Sequence, residues 1–490
     1  CAFCCMALKT PFFQAFGPLL FGRAPRRVVD KLRGIDALDD LYSLFGDLIP
    51  DRMLARAESG VGSRDRSLPG RVTFWAFVAQ VLSPGMGCRE VVSKVQAWWR
   101  WAQTRGSRTL SAAAYCQARQ RLDTQTLELI AGQVAWSLER NTLEAEKWLG
   151  GRAVKIVDGT TVSMPDTPEN QQVWPQPSSQ KPGCGFPLMK LVGVFSLGSG
   201  ALLDHSTGNE HVHETQLFRQ MWPRLRRGDV LLGDRGFCSY GTLATLSQRG
   251  IDGVFRLHQA RRIDFRQGRR LGHDDRLIQW TKPTQAPAGL SAEEFAALPD
   301  TLTLRQIRLR VSTEGFRTRS VTLVTTLIDP EAYPADEIRA LYGQRWNVEL
   351  HFHQIKTLMA LDVLRCQSPE MIEKELLVHL IAYNLVRVLM QKSAHTHHVP
   401  LERISFKASL DTSRHFADVI HAAAKTPRKQ QALIDEMIAL IASSNLIPHR
   451  PGRSEPRAKK RRPKNYQLIT KPRSNMGNLP HRNRPNRKAS

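Results

Sequence analysis

Two stretches decide the fold: Ala153-Val154-Lys155-Ile156-Val157-Asp158 and Asp229-Val230-Leu231-Leu232-Gly233-Asp234. Each is a short run of β-branched and aliphatic residues that stops at an aspartate. Such runs read as strands buried on both faces. Between them, Leu188–Leu197 and Ala201–His205 form a strand pair around a Gly198-Ser199-Gly200 turn, and a helix follows from about His213 to Trp222. A helix at Tyr240–Arg249 and a strand at Gly253–Leu257 continue the alternation, so residues 151–390 read as an α/β core. From about Gln259 to Asp329 the text becomes β-rich: Leu302–Val311 alternates, and Arg317–Leu327 pairs back across Ser312-Thr313-Glu314-Gly315. This reads as an inserted β-rich subdomain over residues 259–329.

Both ends of the chain read as helical or irregular. In residues 30–150, Val72–Leu82 ends at Ser83-Pro84-Gly85 and Arg89–Trp101 follows. Ser111 then caps Ala112–Leu122, and Asp123 caps Thr124–Glu139. Helix, short turn, helix is the arrangement of DNA-reading modules, and Arg89, Lys94, Arg119 and Arg121 are its candidates for recognising DNA ends. A solvated helical bundle is the alternative reading of the same text. Helices at Met371–Met390, Thr412–Lys425 and Arg428–Ser444 lead through residues 391–447, a candidate dimerisation region. Residues 448–490 form a basic tail read as disordered until bound. Residues 1–29 read as a leader, Met6 being a candidate start; Cys1, Cys4 and Cys5 lack a second pair at zinc-ligand spacing.

Charge narrows the function. The 490 residues hold 70 Lys and Arg against 45 Asp and Glu, a formal +25. From Arg450 onward there are fourteen basic residues against Glu455 alone, about half of the excess. A basic body and a basic tail favour nucleic acid as partner. With 41% hydrophobic and 23% charged residues, the composition excludes global disorder. No apolar run approaches the ~18–20 residues of a membrane span. Phe12–Phe21 is broken by Gln14 and Pro18 and followed by arginines, which argues against a cleaved signal. Scattered cysteines point to a reducing, cytoplasmic setting beside nucleoid DNA.

A long helix from Ala335 to about Leu361 carries the chemistry. Tyr342, Arg345, Glu349 and Lys356 fall within about 60° of one another around an α-helical axis, while Leu341, Val348, Phe352, Ile355 and Met359 form an adjacent apolar stripe. A surface ion pair between Arg345 and Glu349 explains two of those residues and leaves Tyr342 and Lys356 unexplained. His211 and His213 read as surface or phosphate-facing, His353 as a group beside the catalytic face, and neither this pair nor His351-x-His353 has zinc-ligand partners. Asp204 and Asp229 read as turn and strand-boundary acids.

Tyr-x2-Arg-x3-Glu-x6-Lys resembles the Y-R-E-K motif of insertion-sequence family four DDE transposases. Asp158-Gly159-Thr160 and Gly233-Asp234-Arg235-Gly236-Phe237 resemble that family's two aspartate motifs. The resemblance implies a ribonuclease H-like core in which Asp158, Asp234 and Glu349 hold divalent metal, two Mg2+ ions with Mn2+ as a substitute. It also implies phosphate contacts from Tyr342, Arg345 and Lys356, and a β-domain inserted between the second aspartate and the glutamate. The implied activity is metal-dependent cleavage at element ends and strand transfer into target DNA by cut-and-paste through a hairpin. The implied partners are double-stranded terminal repeats and target DNA, bound by a homodimer on synapsed ends. Trp280 and Trp346 are candidates to stack a flipped base. Three carboxylates so close repel one another, so without cation they are expected not to converge. An idle DNA-binding regulator and a nuclease without strand transfer are the alternatives.

Overall fold

In the computed structural model, residues 68–101, 110–258, 263–287, 289–310, 320–422 and 426–444 are described, with a few isolated positions. The expected leader and nearly all of the basic tail lie outside them.

Four helices open the described chain: α1 (Gly70–Leu82), α2 (Cys88–Trp101), α3 (Ala112–Gln120) and α4 (Thr124–Arg140). The caps are those expected. Ser111 accepts the Ala114 amide, and Asp123 accepts the Thr126 amide at 2.8 Å. The core begins with β1 (Val154–Ser163), a short helix α5 (Pro168–Val173), β2 (Leu188–Ser196), β3 (Leu202–Gly208), α6 (Glu214–Gln220), β4 (Val230–Gly233), α7 (Tyr240–Gln248) and β5 (Asp252–Arg256). It continues with β6 (Arg269–Gly272), β7 (Asp275–Thr281), α8 (Ala292–Ala296), β8 (Thr301–Arg310) and β9 (Ser320–Thr325). Helices α9 (Ala335–Gly343), α10 (Asn347–His353), α11 (Pro369–His397), α12 (Phe406–Ala422) and α13 (Pro427–Ser443) complete it.

All nine strands form one sheet in the order β3-β2-β1-β4-β5-β9-β8-β7-β6. β1, β2 and β3 make an antiparallel meander, and β4 and β5 continue from β1 in parallel. Alternate residues of the central strands serve different cores, because side chains of a strand point to opposite faces. Val154, Ile156, Leu232 and Val254 join α1–α4 and α9–α13 on one face; Val157, Leu231 and Phe255 join α6 and α7 on the other. All four residues of β4 are buried, as a strand covered on both faces requires.

The β-rich stretch after Gln259 joins the central sheet, because β9 pairs antiparallel with β5. Two expectations change in the structure. The first aspartate does not end its strand. β1 runs five residues beyond Asp158 along β2, and what stops there is the parallel ladder to β4, whose last pair is Val157 with Gly233. The helix over 335–361 is not uniform. It tightens to a 3-10 turn at Gln344–Trp346 and widens to a π-helical turn at Gln354–Leu358.

The N-terminal helices dock directly on the core. α4 packs along α11. Gln391 Nε2 donates to Leu138 O at 3.1 Å and Lys374 Nζ to Gln120 O at 2.6 Å. α11 is buried along most of its length, including Asn384, whose amide hydrogen-bonds both backbone groups of Leu202 on edge strand β3.

Candidate active site

Because the parallel ladder ends at Val157 and Gly233, the next residue on each of two adjacent strands is an aspartate. Asp158 and Asp234 are therefore neighbours at one end of the sheet. Asp158 Oδ1 accepts its neighbour's amide, Gly159 N, at 2.8 Å. Burial pushes the Asp158 carboxyl up to about 6, with repulsion from Asp234 and Glu214 adding to it and Arg345 opposing. Asp234 Oδ1 is buried with no hydrogen-bond partner.

The helical segment supplies the rest. Leu341, Val348, Ile355 and Met359 are buried at 1% exposure or less and Phe352 at 7%, so the apolar stripe anchors it as expected. Arg345 sits in the 3-10 turn, 5% exposed, with one terminal nitrogen 3.6 Å from Asp158 Oδ2 and the other 3.9 Å from Glu349 Oε1. It thereby links the strand acid to the helix acid. Its guanidinium also lies over the exposed Trp346 ring, 4.3 Å from the centroid, and its Nε has no partner. Tyr342 is buried with its hydroxyl unpaired; burial, with Asp234 adding to it, holds that hydroxyl in its protonated form well past the ordinary tyrosine range. Lys356 occupies the π turn, a distortion that often marks functional positions. Its ammonium donates to Thr160 Oγ1 at 3.0 Å and Thr161 O at 2.8 Å, just beyond Asp158 on β1.

The carboxylates do not close into a cage. Glu349 is exposed, and among the described residues no group of three or more His, Cys, Asp or Glu is gathered at metal-holding distance.

The other expected residues divide. Trp346 is exposed, whereas Trp280 is 8% exposed within the core, with the Arg261 guanidinium 3.7 Å from its ring centroid. Arg89 and Arg121 are exposed, and Lys94 lies 3.7 Å from Glu90. Arg119 does not project as expected. It is buried between the Phe77 and Tyr115 rings, with one terminal nitrogen 3.5 Å from the Cys88 sulfur and 3.6 Å from that of Cys116, and the other 3.9 Å from the Cys366 sulfur. It faces inward because α3 has neighbours on both sides, α1 and the segment carrying Cys366.

His351 is a core residue. Its ring stacks on Phe195 at 5.3 Å and shares a hydrogen bond with the Tyr383 hydroxyl at 3.1 Å, and burial, reinforced by Arg387, pulls its pKa down to about 3. His211, His213 and His353 are exposed. Asp229 accepts the Arg226 amide at 2.8 Å, a boundary role as read. Glu214 was not singled out in the sequence. It opens α6, and its carboxylate lies against the main chain of Gly159. The only signal was an acid in the first turn of α6, which a first-turn preference already explains.

The chain resembles a cryo-EM structure of the piggyBac transposase synaptic complex with hairpin DNA at 12% identity and a TM-score of 0.43, over 86% of this chain and 88% of that one. It is 27% identical over 452 residues to the transposase InsG for insertion sequence element IS4 of Escherichia coli K12, covering 91% of this chain and 98% of InsG. It is 31% identical over 146 residues to the putative transposase InsZ of the same strain, covering 30% of this chain and 48% of InsZ. The family described as insertion element 4 transposase N-terminal matches residues 41–130, and the transposase DDE domain matches residues 149–385. The two matches divide where the helical segment gives way to the sheet, and the second contains both aspartates and Glu349. The chain belongs to the DDE transposases of the insertion-sequence family four, enzymes that act on DNA.

Proposed function

We propose that Asp158, Asp234 and Glu349 are the metal-holding carboxylates of a ribonuclease H-like core that cuts element ends and joins them to target DNA. The observation that carries this is the pair of aspartates side by side where the β1–β4 ladder stops, facing Glu349 across one arginine. The donor set suits a hard divalent cation. It is all carboxylate oxygen, one of them buried and unpartnered. Two Mg2+ ions, or Mn2+ in their place, would supply an activated water and stabilisation of the leaving 3′ oxygen.

The chain's own residues do the positioning. Arg345, with Nε unpaired, and Tyr342, with a free protonated hydroxyl, have donors left for phosphate oxygens. Lys356 adds a point charge beside Asp158. Trp346 is the side chain placed to stack an extruded base during hairpin formation, because its ring is exposed and next to Arg345. Duplex terminal repeats and target DNA are the partners, synapsed by a homodimer, in the bacterial cytoplasm. Among the described residues no helix is long and apolar enough to cross a membrane.

A supercoiled plasmid carrying two element ends, incubated with Mg2+ and the protein, tests the reaction. Hairpin-ended excision and joined products are expected. Nicks alone would favour the nuclease reading, and a mobility shift without breakage the idle regulator.

A further inference from the structure

Five cysteines lie among the described residues, all as free thiols, and three of them converge on one guanidinium. Arg119 is fixed between the Phe77 and Tyr115 rings, 4.8 and 5.1 Å from their centroids. One of its terminal nitrogens lies 3.5 Å from Cys88 Sγ and 3.6 Å from Cys116 Sγ. Those two sulfurs are 3.9 Å apart across the packed helices α2 and α3. Rotation of one side chain closes such a gap to bonding distance. Cys366 stands apart from the pair. It meets only the other terminal nitrogen of Arg119, at 3.9 Å, and burial, with Glu375 adding to it, holds its thiol firmly protonated.

The surroundings of Cys88 suit attack on a small oxidant. The residue is half-buried, and Gln80 Nε2 donates to its sulfur at 3.7 Å. A cavity of about 120 Å3 opens beside it, lined also by Met86, Arg119, Met359 and Cys366. A peroxide molecule fits that space, and the Arg119 cation beside it stabilises both the thiolate and the hydroxide that leaves. Burial pushes the Cys88 thiol up while Arg119 opposes this, so the reaction draws on a minor thiolate fraction.

We propose that Cys88 and Cys116 are a redox pair, in which hydrogen peroxide oxidises Cys88 and Cys116 closes the disulfide. The Cys88 thiolate takes one oxygen of the peroxide as the O–O bond breaks, giving a sulfenic acid and, with the thiol proton, water. The Cys116 sulfur then displaces the hydroxyl group from the Cys88 sulfur, and its own proton leaves with that group as a second water. The two sulfurs lose the two electrons that the peroxide gains. In a reducing setting the pair stays as thiols and joins only when oxidant is present. The bond pins the first residue of α2, next to Arg89, to α3, and so braces the two helices against each other.

Peptide mapping of the full chain by mass spectrometry tests this. The chain is treated with hydrogen peroxide at about pH 8.5, where an ordinary cysteine is half thiolate. Remaining thiols are blocked with N-ethylmaleimide, and the chain is cut with trypsin without reduction. Cys88 and Cys116 fall in separate tryptic peptides, 72–89 and 109–119. Most of both should be recovered as one linked species, lighter than their sum by two hydrogens and split by dithiothreitol. Cys116→Ser should instead leave Cys88 as a sulfenic acid that dimedone labels, and Cys88→Ser should leave Cys116 open to the maleimide. Recovery of both peptides as maleimide adducts from the oxidised chain would overturn the proposal. So would linkage of peptide 72–89 to peptide 366–374, which carries Cys366.

Discussion

Replacing Arg305 by methionine should loosen the segment that leads into the helix bearing Glu349. Arg305 is 1% exposed on β8 and holds Asp275 of β7 with a two-pronged contact: Nε to Oδ1 at 2.9 Å and a terminal nitrogen to Oδ2 at 2.6 Å. Its other terminal nitrogen donates to Tyr333 O at 2.6 Å, in the loop that leads into α9. One side chain therefore ties the inserted strands to the entry of the helix bearing Tyr342, Arg345 and Glu349. Methionine leaves a buried carboxylate and a carbonyl without partners, which costs about 3–5 kcal/mol. Native-state hydrogen exchange reads this locally: amides of β7 and β8 should exchange about two to three orders of magnitude faster, at 1.4 kcal/mol per factor of ten. Asp275→Leu added to Arg305→Met should recover roughly 1 kcal/mol or more, because no buried charge then stands alone. Exchange accelerated less than about fivefold in the single variant would refute the reasoning, since that is the behaviour of a surface pair.

Other consequences follow from particular residues. Arg89→Ala and Arg121→Ala should each weaken binding to DNA ends and lower the slope of log affinity against log salt by about 1, whereas Arg119→Met should leave the slope unchanged; an equal effect from all three would put Arg119 on the surface. Trp346→Ala should slow hairpin formation about tenfold without slowing the first nick, while Trp280→Ala should lower stability by about 3 kcal/mol through its core contacts; the reverse assignment would exchange their roles. His351, buried and neutral in the fold, takes up its proton mainly on unfolding, so its contribution to stability is complete above about pH 6.5 and is lost as the pH falls towards its folded pKa of about 3. Denaturation at pH 7 and pH 5 should therefore show the unaltered chain losing about 2 kcal/mol more than His351→Gln. An equal loss in both would mean that His351 titrates normally in the fold.

The parts of the site that could be read in advance share one property: each is repeated in local text. The strand run at 230–233 is continuous and apolar and that at 154–157 is broken only by Lys155, so the aspartates behind them were legible. The apolar stripe of Leu341, Val348, Ile355 and Met359 has helical spacing, so the burial of that face was legible too. What stayed hidden depends on partners distant in sequence. Arg119 is turned inward by Phe77 and by sulfurs from α2 and from Cys366, which no window around α3 contains. The insert joins the main sheet because β9 finds β5 across more than sixty residues. The 3-10 and π turns around Glu349 place Arg345 and Lys356 against β1, a tertiary demand that uniform helical periodicity does not express. Glu214 was hidden for the same reason, since it lies on α6 and its neighbour Gly159 on β1.

The most direct test of the account is Mg2+-dependent cleavage of end-bearing duplex by Asp158→Asn, Asp234→Asn and Glu349→Gln, scored beside end binding in the same preparations. All three should bind the ends as the unaltered chain does and yield no strand breaks above background. Cleavage surviving in any one of them would contradict the assignment of these three carboxylates to the metal site.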